Sequence, residues 1–142
     1  MRYLGLDLGT RTLGLSLSDT TFTIASTLKT IRFNENDYEF LLNQLEDIIK
    51  EYNVVKMVLG YPKNMNNTIG ERCETTLAFQ QLLINKFNME VILQDERLTT
   101  VEATNYMLKA DISRKKRKEK VDALAANIIL QTYLDKERGG KI

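Results

Sequence analysis

The residues best suited to chemistry in this 142-residue chain are three acids: Asp7 ends a hydrophobic strand pattern, Glu96 stands just past another, and Asp122 opens a helical one. The rest of the composition narrows what they can do. There is no histidine, so a histidine triad, a histidine general base and a histidine metal ligand are excluded. The one cysteine, Cys73, cannot build a thiolate zinc site alone. Carboxylate chemistry remains, and clustered carboxylates suit a hard, oxygen-loving ion such as Mg²⁺ or Mn²⁺. Two carboxylates about 5 Å apart repel by roughly 3 kcal/mol at an effective dielectric near 20. A cluster of them therefore takes up a proton or a cation. Divalent ions relieve the repulsion and supply what phosphodiester hydrolysis needs, an activated water and a stabilised leaving oxygen.

Each acid also has a plainer explanation. Asp7 lies in Gly5-Leu-Asp-Leu-Gly-Thr10, where the glycines leave its strand face bare for a backbone or a phosphate, but would equally serve a tightly packed hairpin. Glu96 stands in Gln94-Asp-Glu-Arg-Leu-Thr-Thr100, in which Thr99 and Glu102 already have capping-box spacing, leaving Asp95 and Glu96 without a capping duty. Asp122 in the first turn of a helix is favoured by the helix dipole whatever else it does.

Cations accompany the acids. Residues 109–120 hold seven Lys or Arg and two acids, while the whole chain has a net charge of only +1. A nearly neutral body with one basic segment suggests a polyanion gripped locally, and counterion release from phosphates rewards that arrangement. Arg114, Lys115, Lys116, Arg117 and Lys118 are the candidate phosphate contacts, with Arg97 beside Glu96 and Lys63 in the loop 60–67. A solvated basic loop is the alternative.

The elements that must position these residues follow from periodicity. Residues 2–9 alternate, with Leu4, Leu6 and Leu8 on one face and Tyr3, Gly5, Asp7 and Gly9 on the other. A turn at 10–12 leads to a second strand bearing Leu13, Leu15 and Leu17, and residues 22–33 contain a third, giving an antiparallel meander. Tyr38, Leu41, Leu42, Leu45, Ile48, Ile49 and Tyr52 have helical spacing, with Asn34 and Asn36 as candidate caps. The continuous apolar run 54–61 predicts a strand covered on both faces. A helix is expected over 71–87 with Leu77, Leu82, Leu83 and Phe87 buried, then a short strand over 90–94 and a helix from Thr99. Residues 112–118 read as a basic loop, and a last helix runs over 119–136 with Val121, Leu124, Ala125, Ile128 and Ile129 as its apolar stripe. Residues 139–141 read as a frayed tail.

The order β-β-β-α-β-α-β-α-α predicts an α/β domain with one five-stranded mixed sheet and helices on both faces. The two later strands arrive through helical crossovers and should run parallel to the first. Ligands then gather at the carboxyl ends of the parallel strands, where Asp7 and Glu96 fall. The length fits a single domain over residues 1–142. No apolar stretch approaches the roughly 18 residues of a membrane span, and the lone cysteine fits a reducing compartment, so a cytoplasmic protein is expected.

Four motifs together resemble the YqgF-type family of ribonuclease-H-like proteins, described as Holliday junction resolvase-like and as nucleases maturing the 5′ end of pre-16S ribosomal RNA. They are Gly5-Leu-Asp-Leu-Gly-Thr-Arg-Thr-Leu-Gly14 with Ser18-Asp19, Leu59-Gly-Tyr-Pro-Lys-Asn-Met65, Asp95-Glu-Arg-Leu-Thr-Thr100, and Ser113-Arg-Lys-Lys-Arg-Lys118 with Val121-Asp-Ala-Leu-Ala-Ala126. The resemblance covers nearly the whole chain. It implies a ribonuclease-H-like fold with Asp7, Glu96 and Asp122 as catalytic, metal-binding acids. Asn66-Asn67 depart from the family's usual Asp-Gly, and Tyr61 stands where leucine is common.

The expected function is therefore a metal-dependent nuclease on structured nucleic acid, as a monomer or homodimer, with ribosomal RNA precursor preferred over a four-way DNA junction. Asp7 would bridge two ions, and Glu96 and Asp122 would complete their shells. Two other classes remain open. A nucleic-acid-binding or ribosome-assembly factor without catalysis would use the basic segment equally well. An ATPase or sugar-kinase-like phosphotransferase shares the Asp-Leu-Gly-Thr string, but this chain has no glycine between Gly70 and Gly139 for a second phosphate loop.

Overall fold

The computed structural model describes residues 1–61, 71–95 and 114–139, and at 71, 72, 95, 114–122, 138 and 139 the backbone only. The leucine alternation forms the expected hairpin. Strands β1 (Arg2–Leu8) and β2 (Thr12–Ser18) pair antiparallel, setting Leu4 against Leu17, Leu6 against Leu15 and Leu8 against Leu13. A third strand, β3 (Ala25–Arg32), pairs antiparallel with β2 and completes the meander. Strand β4 (Val54–Tyr61) lies parallel to β1, and β5 (Val91–Asp95) parallel to β4, giving one sheet of order β3-β2-β1-β4-β5.

Pleating divides the sheet into two apolar faces. Leu4, Leu6, Leu8, Leu13, Leu15, Leu17, Met57 and Leu59 form one core with Leu41, Leu45 and Ile48 of helix α1 (Tyr38–Tyr52) and Phe79 and Leu83 of helix α2 (Glu71–Phe87). On the other face Val58 and Ala25 pack with Ile129, Leu130 and Leu134 of helix α3 (Arg114–Gly139). Apolar residues alternating to opposite sides of β4 explain its unbroken hydrophobic run.

Several local details differ from expectation. The cap of α1 is Asp37, whose carboxylate accepts from Phe40 N, rather than Asn34 or Asn36. Those two residues shape the turn before it: the Asn34 carbonyl accepts from Asp37 N, and Asn36 takes a positive φ of 68°. In α2, Leu77 and Leu82 are on the solvent side, 39% and 38% exposed, while Cys73, Thr76, Phe79 and Leu83 are buried. Apolar residues surround much of that helix, so spacing alone does not choose a face. The small side chains at 73 and 76 mark the side that approaches the sheet.

The largest difference is at the basic segment. Helix α3 begins at Arg114, so 114–118 are its first turns rather than a loop, and it continues to Gly139. Lysine and arginine are good helix formers, and extending an existing helix costs far less than nucleating one. The buried stripe of α3 is Ala123, Ala125, Ala126, Ile129, Leu130 and Leu134, with Leu124 and Ile128 half-buried. Alanines permit the close approach described below. The expected helix from Thr99 lies outside the described residues. Among the described residues no helix is long and apolar enough to cross a membrane.

Candidate active site

Asp7 stands at the carboxyl end of the central strand, half-buried, on the face crossed by α3. Its pairing partner on β2 is Gly14. On the other side Leu6 pairs with Leu59, so the next residue of β4, Gly60, flanks Asp7. The carboxylate thus stands on a strand position flanked on both neighbouring strands by glycine. A hard cation suits that donor, an oxygen-bearing carboxylate on backbone held by strand pairing on both sides.

The helix above is fixed by contacts at known levels. The Ser16 hydroxyl donates to the Ala126 carbonyl at 2.8 Å. A Cβ on Gly5 would lie 2.7 Å from Leu130 Cβ and 2.9 Å from the Ala126 oxygen, so only glycine lets α3 settle this deeply. Further along, the Tyr133 ring centroid is 6.2 Å from that of Tyr3, and the Tyr3 hydroxyl reaches Glu137 at 3.5 Å. The helix therefore runs antiparallel to β1. From Gly5 to Asp7 the strand advances about 6.6 Å, and from Ala126 back to Asp122 the helix retreats about 6 Å. The backbone of Asp122 comes level with Asp7, on the helix face that also carries Ala126, Ile129 and Tyr133.

The third acid borders the same edge in sequence. Gly60 pairs with Gln94 and Tyr61 with Asp95, so β5 ends beside β4, and Glu96 follows. Glu96, Lys63 and Arg97 themselves lie outside the described residues. Among the described residues no group of three acids or cysteines gathers as a metal site. Arg114, Lys115, Lys116, Arg117 and Lys118 occupy the start of α3, before Asp122 and therefore beyond the sheet's carboxyl edge.

Two features of this edge were not legible as site features. Tyr61, at the end of β4, hydrogen-bonds the buried Cys73 of α2; its phenol is pushed up by burial and by that thiol. On the α1–α2 side a cavity of about 230 Å³ opens beside Gly9 and Thr10, bordered by Glu35, Asn36, Tyr38 and Thr75. Burial, then the Glu35 charge, raises the Tyr38 phenol above its ordinary value. The cavity is lined from three separate segments, of which only the one with Gly9 and Thr10 belongs to a motif.

A mixed sheet of this order, with an acid ending its central strand and a long helix crossing that acid's face, defines a ribonuclease-H-like domain. The chain belongs to the family described as RuvX: Holliday junction resolvase, which matches residues 1–136. It is 49% identical over 135 residues to the "Putative pre-16S rRNA nuclease" of Bacillus subtilis, covering 95% of this chain and 98% of that protein. Identity to the protein of the same name from Geobacillus sp. is 49% over 138 residues, covering 97% of this chain and 100% of the relative. Among solved structures, T. thermophilus RuvC in complex with Holliday junction substrate has a TM-score of 0.62 at 14% identity, covering 98% of this chain and 96% of that one. Fowlpox virus resolvase with its Holliday junction DNA gives 0.58 at 11%, covering 96% and 99%. At such identities these two establish the fold.

Proposed function

We propose that the protein is a metal-dependent nuclease that hydrolyses phosphodiester bonds in structured RNA, acting in the cytoplasm in 5′-end maturation of pre-16S ribosomal RNA. The observation that carries the reading is the level meeting of Asp7 with the backbone of Asp122 at the sheet's carboxyl edge. The family and the names of its half-identical relatives support the reaction class and favour the RNA substrate.

In this reading Asp7, Glu96 and Asp122 hold Mg²⁺ or Mn²⁺ through carboxylate oxygens. Bound there, the ion supplies an acidified water and a counter-charge for the leaving oxygen. Asp7 contributes a carboxylate whose position is fixed by strand pairing on both sides. Gly14 and Gly60 let the scissile phosphate approach without meeting a side chain. Arg114, Lys115, Lys116, Arg117 and Lys118 hold backbone phosphates. Their place at a helix start supports this role, because cations in a first turn oppose the helix dipole until an anion arrives. Lys63 and Arg97 extend the same electrostatic hold.

The deciding experiment incubates the purified protein with a pre-16S RNA fragment and with a synthetic four-way DNA junction, each with and without Mn²⁺, beside Asp7→Asn. Cleavage of the RNA by the native protein alone, and only with metal, is the expected result. Equal turnover by Asp7→Asn would refute the site. Preferential cutting of the junction would favour the second reading, a Holliday junction resolvase, which rests on the family's description and on fold likeness to RuvC. Binding that survives chelation, with no cleavage of either substrate in Mn²⁺, would favour a non-catalytic assembly factor.

A further inference from the structure

We propose that the cavity beside Gly9 and Thr10 is a base-binding subsite, taking one unstacked guanine of the RNA strand whose phosphate lies at Asp7, with the Glu35 carboxylate and the Tyr38 hydroxyl as its readers. The proposal rests on the nuclease reading and deepens it to a base preference beside the cleavage point.

Two fixed pieces of backbone present those groups. Glu35 and Asn36 form the corner of a turn closed by the Asn34 carbonyl, which accepts from Asp37 N at 2.9 Å, and the φ of 68° at Asn36 is that of a type II turn. Tyr38 opens α1, and its ring packs against Phe33 and Phe79 at centroid distances of 6.1 and 5.6 Å. Both of those rings are buried, which holds the tyrosine in place. Glu35 is exposed, yet close enough for its charge to act on the Tyr38 phenol. The Tyr38 hydroxyl makes no hydrogen bond among the described residues.

The lining selects the class of ligand. It holds no lysine or arginine among the described residues, and the Glu35 charge repels a phosphate. One carboxylate is too few for a metal ion, and no set of three ligating groups gathers among the described residues. An uncharged ring bearing N–H donors fits instead. A cavity of about 150 Å³ accepts one benzene ring, so a space of about 230 Å³ suits a single purine. A carboxylate accepts two neighbouring N–H donors, and a protonated phenol beside it donates to an adjacent oxygen. Guanine alone among the four RNA bases sets N1–H and N2–H together with O6 alongside. Position agrees with chemistry. Gly9 follows Asp7 by two residues, about 7 Å of extended chain. Asp7 faces α3 and the cavity opens on the α1–α2 side, so a strand crossing the sheet's carboxyl edge leaves its phosphate on one face and turns a base over to the other. Unpaired RNA bases are recognised in this way, splayed out and bonded on their Watson–Crick edges.

The test measures binding without chemistry. A stem–loop RNA with fluorescein in its loop carries single-stranded uridine tails, and one guanine is moved through them position by position. Anisotropy titrations in EDTA compare each guanine RNA with its adenine and inosine counterparts and with the all-uridine parent. The native protein, Glu35→Gln, Tyr38→Phe and the charge control Glu39→Gln are compared, with thermal melting alongside. At one tail position the native protein should bind guanine about 5- to 100-fold more tightly than adenine or uridine, with inosine, which lacks the N2 donor, in between. Glu35→Gln and Tyr38→Phe should lose that preference while still binding the parent and melting as the native protein does. Glu39→Gln should keep it. Equal affinity for all tails, while the native protein binds, would overturn the subsite and leave the nuclease reading standing. Tighter binding of every RNA by Glu35→Gln with the preference intact would also overturn it, because the carboxylate would then act only by repulsion. Loss of preference with a lowered melting temperature in both variants would overturn it in favour of a structural role. A native protein that binds none of the RNAs would overturn both readings.

Discussion

Ser16 and Ala126 are 110 residues apart in sequence, yet the serine hydroxyl donates to the alanine carbonyl at 2.8 Å, fully buried. The hydroxyl occupies the gap that Gly5, its pairing partner on β1, leaves by having no side chain. This three-residue joint sets the height and register of α3 over the central strand. It thereby sets where Asp122 stands relative to Asp7.

Ser16→Ala removes the joint's hydrogen bond without adding bulk. The Ala126 carbonyl keeps its helical partner, so the loss should be about 1 kcal/mol of stability. Urea denaturation would read it as a lower midpoint with an unchanged slope.

Gly5→Ala should do more harm. The new methyl would press on the Ser16 hydroxyl and on the backbone oxygen of Ala126, which cannot rotate away. A cost of about 1–3 kcal/mol is expected from overpacking. If α3 moves to relieve it, metal-dependent cleavage should fall further than the folded fraction does. Activity normalised to folded protein by circular dichroism separates the two effects.

Asp19, at the opposite end of the sheet, gives a pH prediction. Its carboxylate accepts from the Thr21 hydroxyl, Thr23 N and Ile24 N, and these hydrogen bonds hold its pKa down at about 2. A folded value below the unfolded one means that the unfolded chain binds protons more readily. The stabilisation is therefore complete above about pH 4 and fades as pH falls toward 2. Asp19→Asn should flatten the midpoint-versus-pH curve over that window in acid titrations followed by fluorescence. A curve as steep as the native one would remove Asp19 from the account.

Lys56 should matter where Lys50 does not. Its ammonium lies 4.8 Å from the Tyr3 ring centroid and 5.4 Å from that of Tyr133, hydrogen-bonds the Tyr133 hydroxyl, and approaches Glu90 at 3.4 Å. Burial opposes its charge, but the tyrosine and glutamate partners prevail and raise its pKa. Lys56→Ala should cost about 1–2 kcal/mol through lost cation–π contact and packing. Lys50→Ala breaks an exposed helical pair with Glu46 and should cost less than about 0.5 kcal/mol. A double-mutant cycle with Tyr133→Phe measures the Lys56 coupling directly.

The sequence by itself determined the elements whose pattern admits one solution. Strict leucine alternation over 2–9 and 13–18 can bury only as a strand pair, and the continuous run 54–61 only as a strand covered twice. Side-chain chemistry also limited the reaction, because a chain without histidine has few groups besides carboxylates for binding a hard ion. Tertiary structure decided whatever depends on which surfaces meet. Leu77 and Leu82 are as apolar as Leu83, yet they face solvent because the sheet accepts the side of α2 bearing Cys73 and Thr76. Alanines displaced Leu124 and Ile128 from the centre of the α3 stripe because Gly5 and Ser16 demand a close approach. Periodicity reports what each segment can bury; the partner surface selects which residues it does bury.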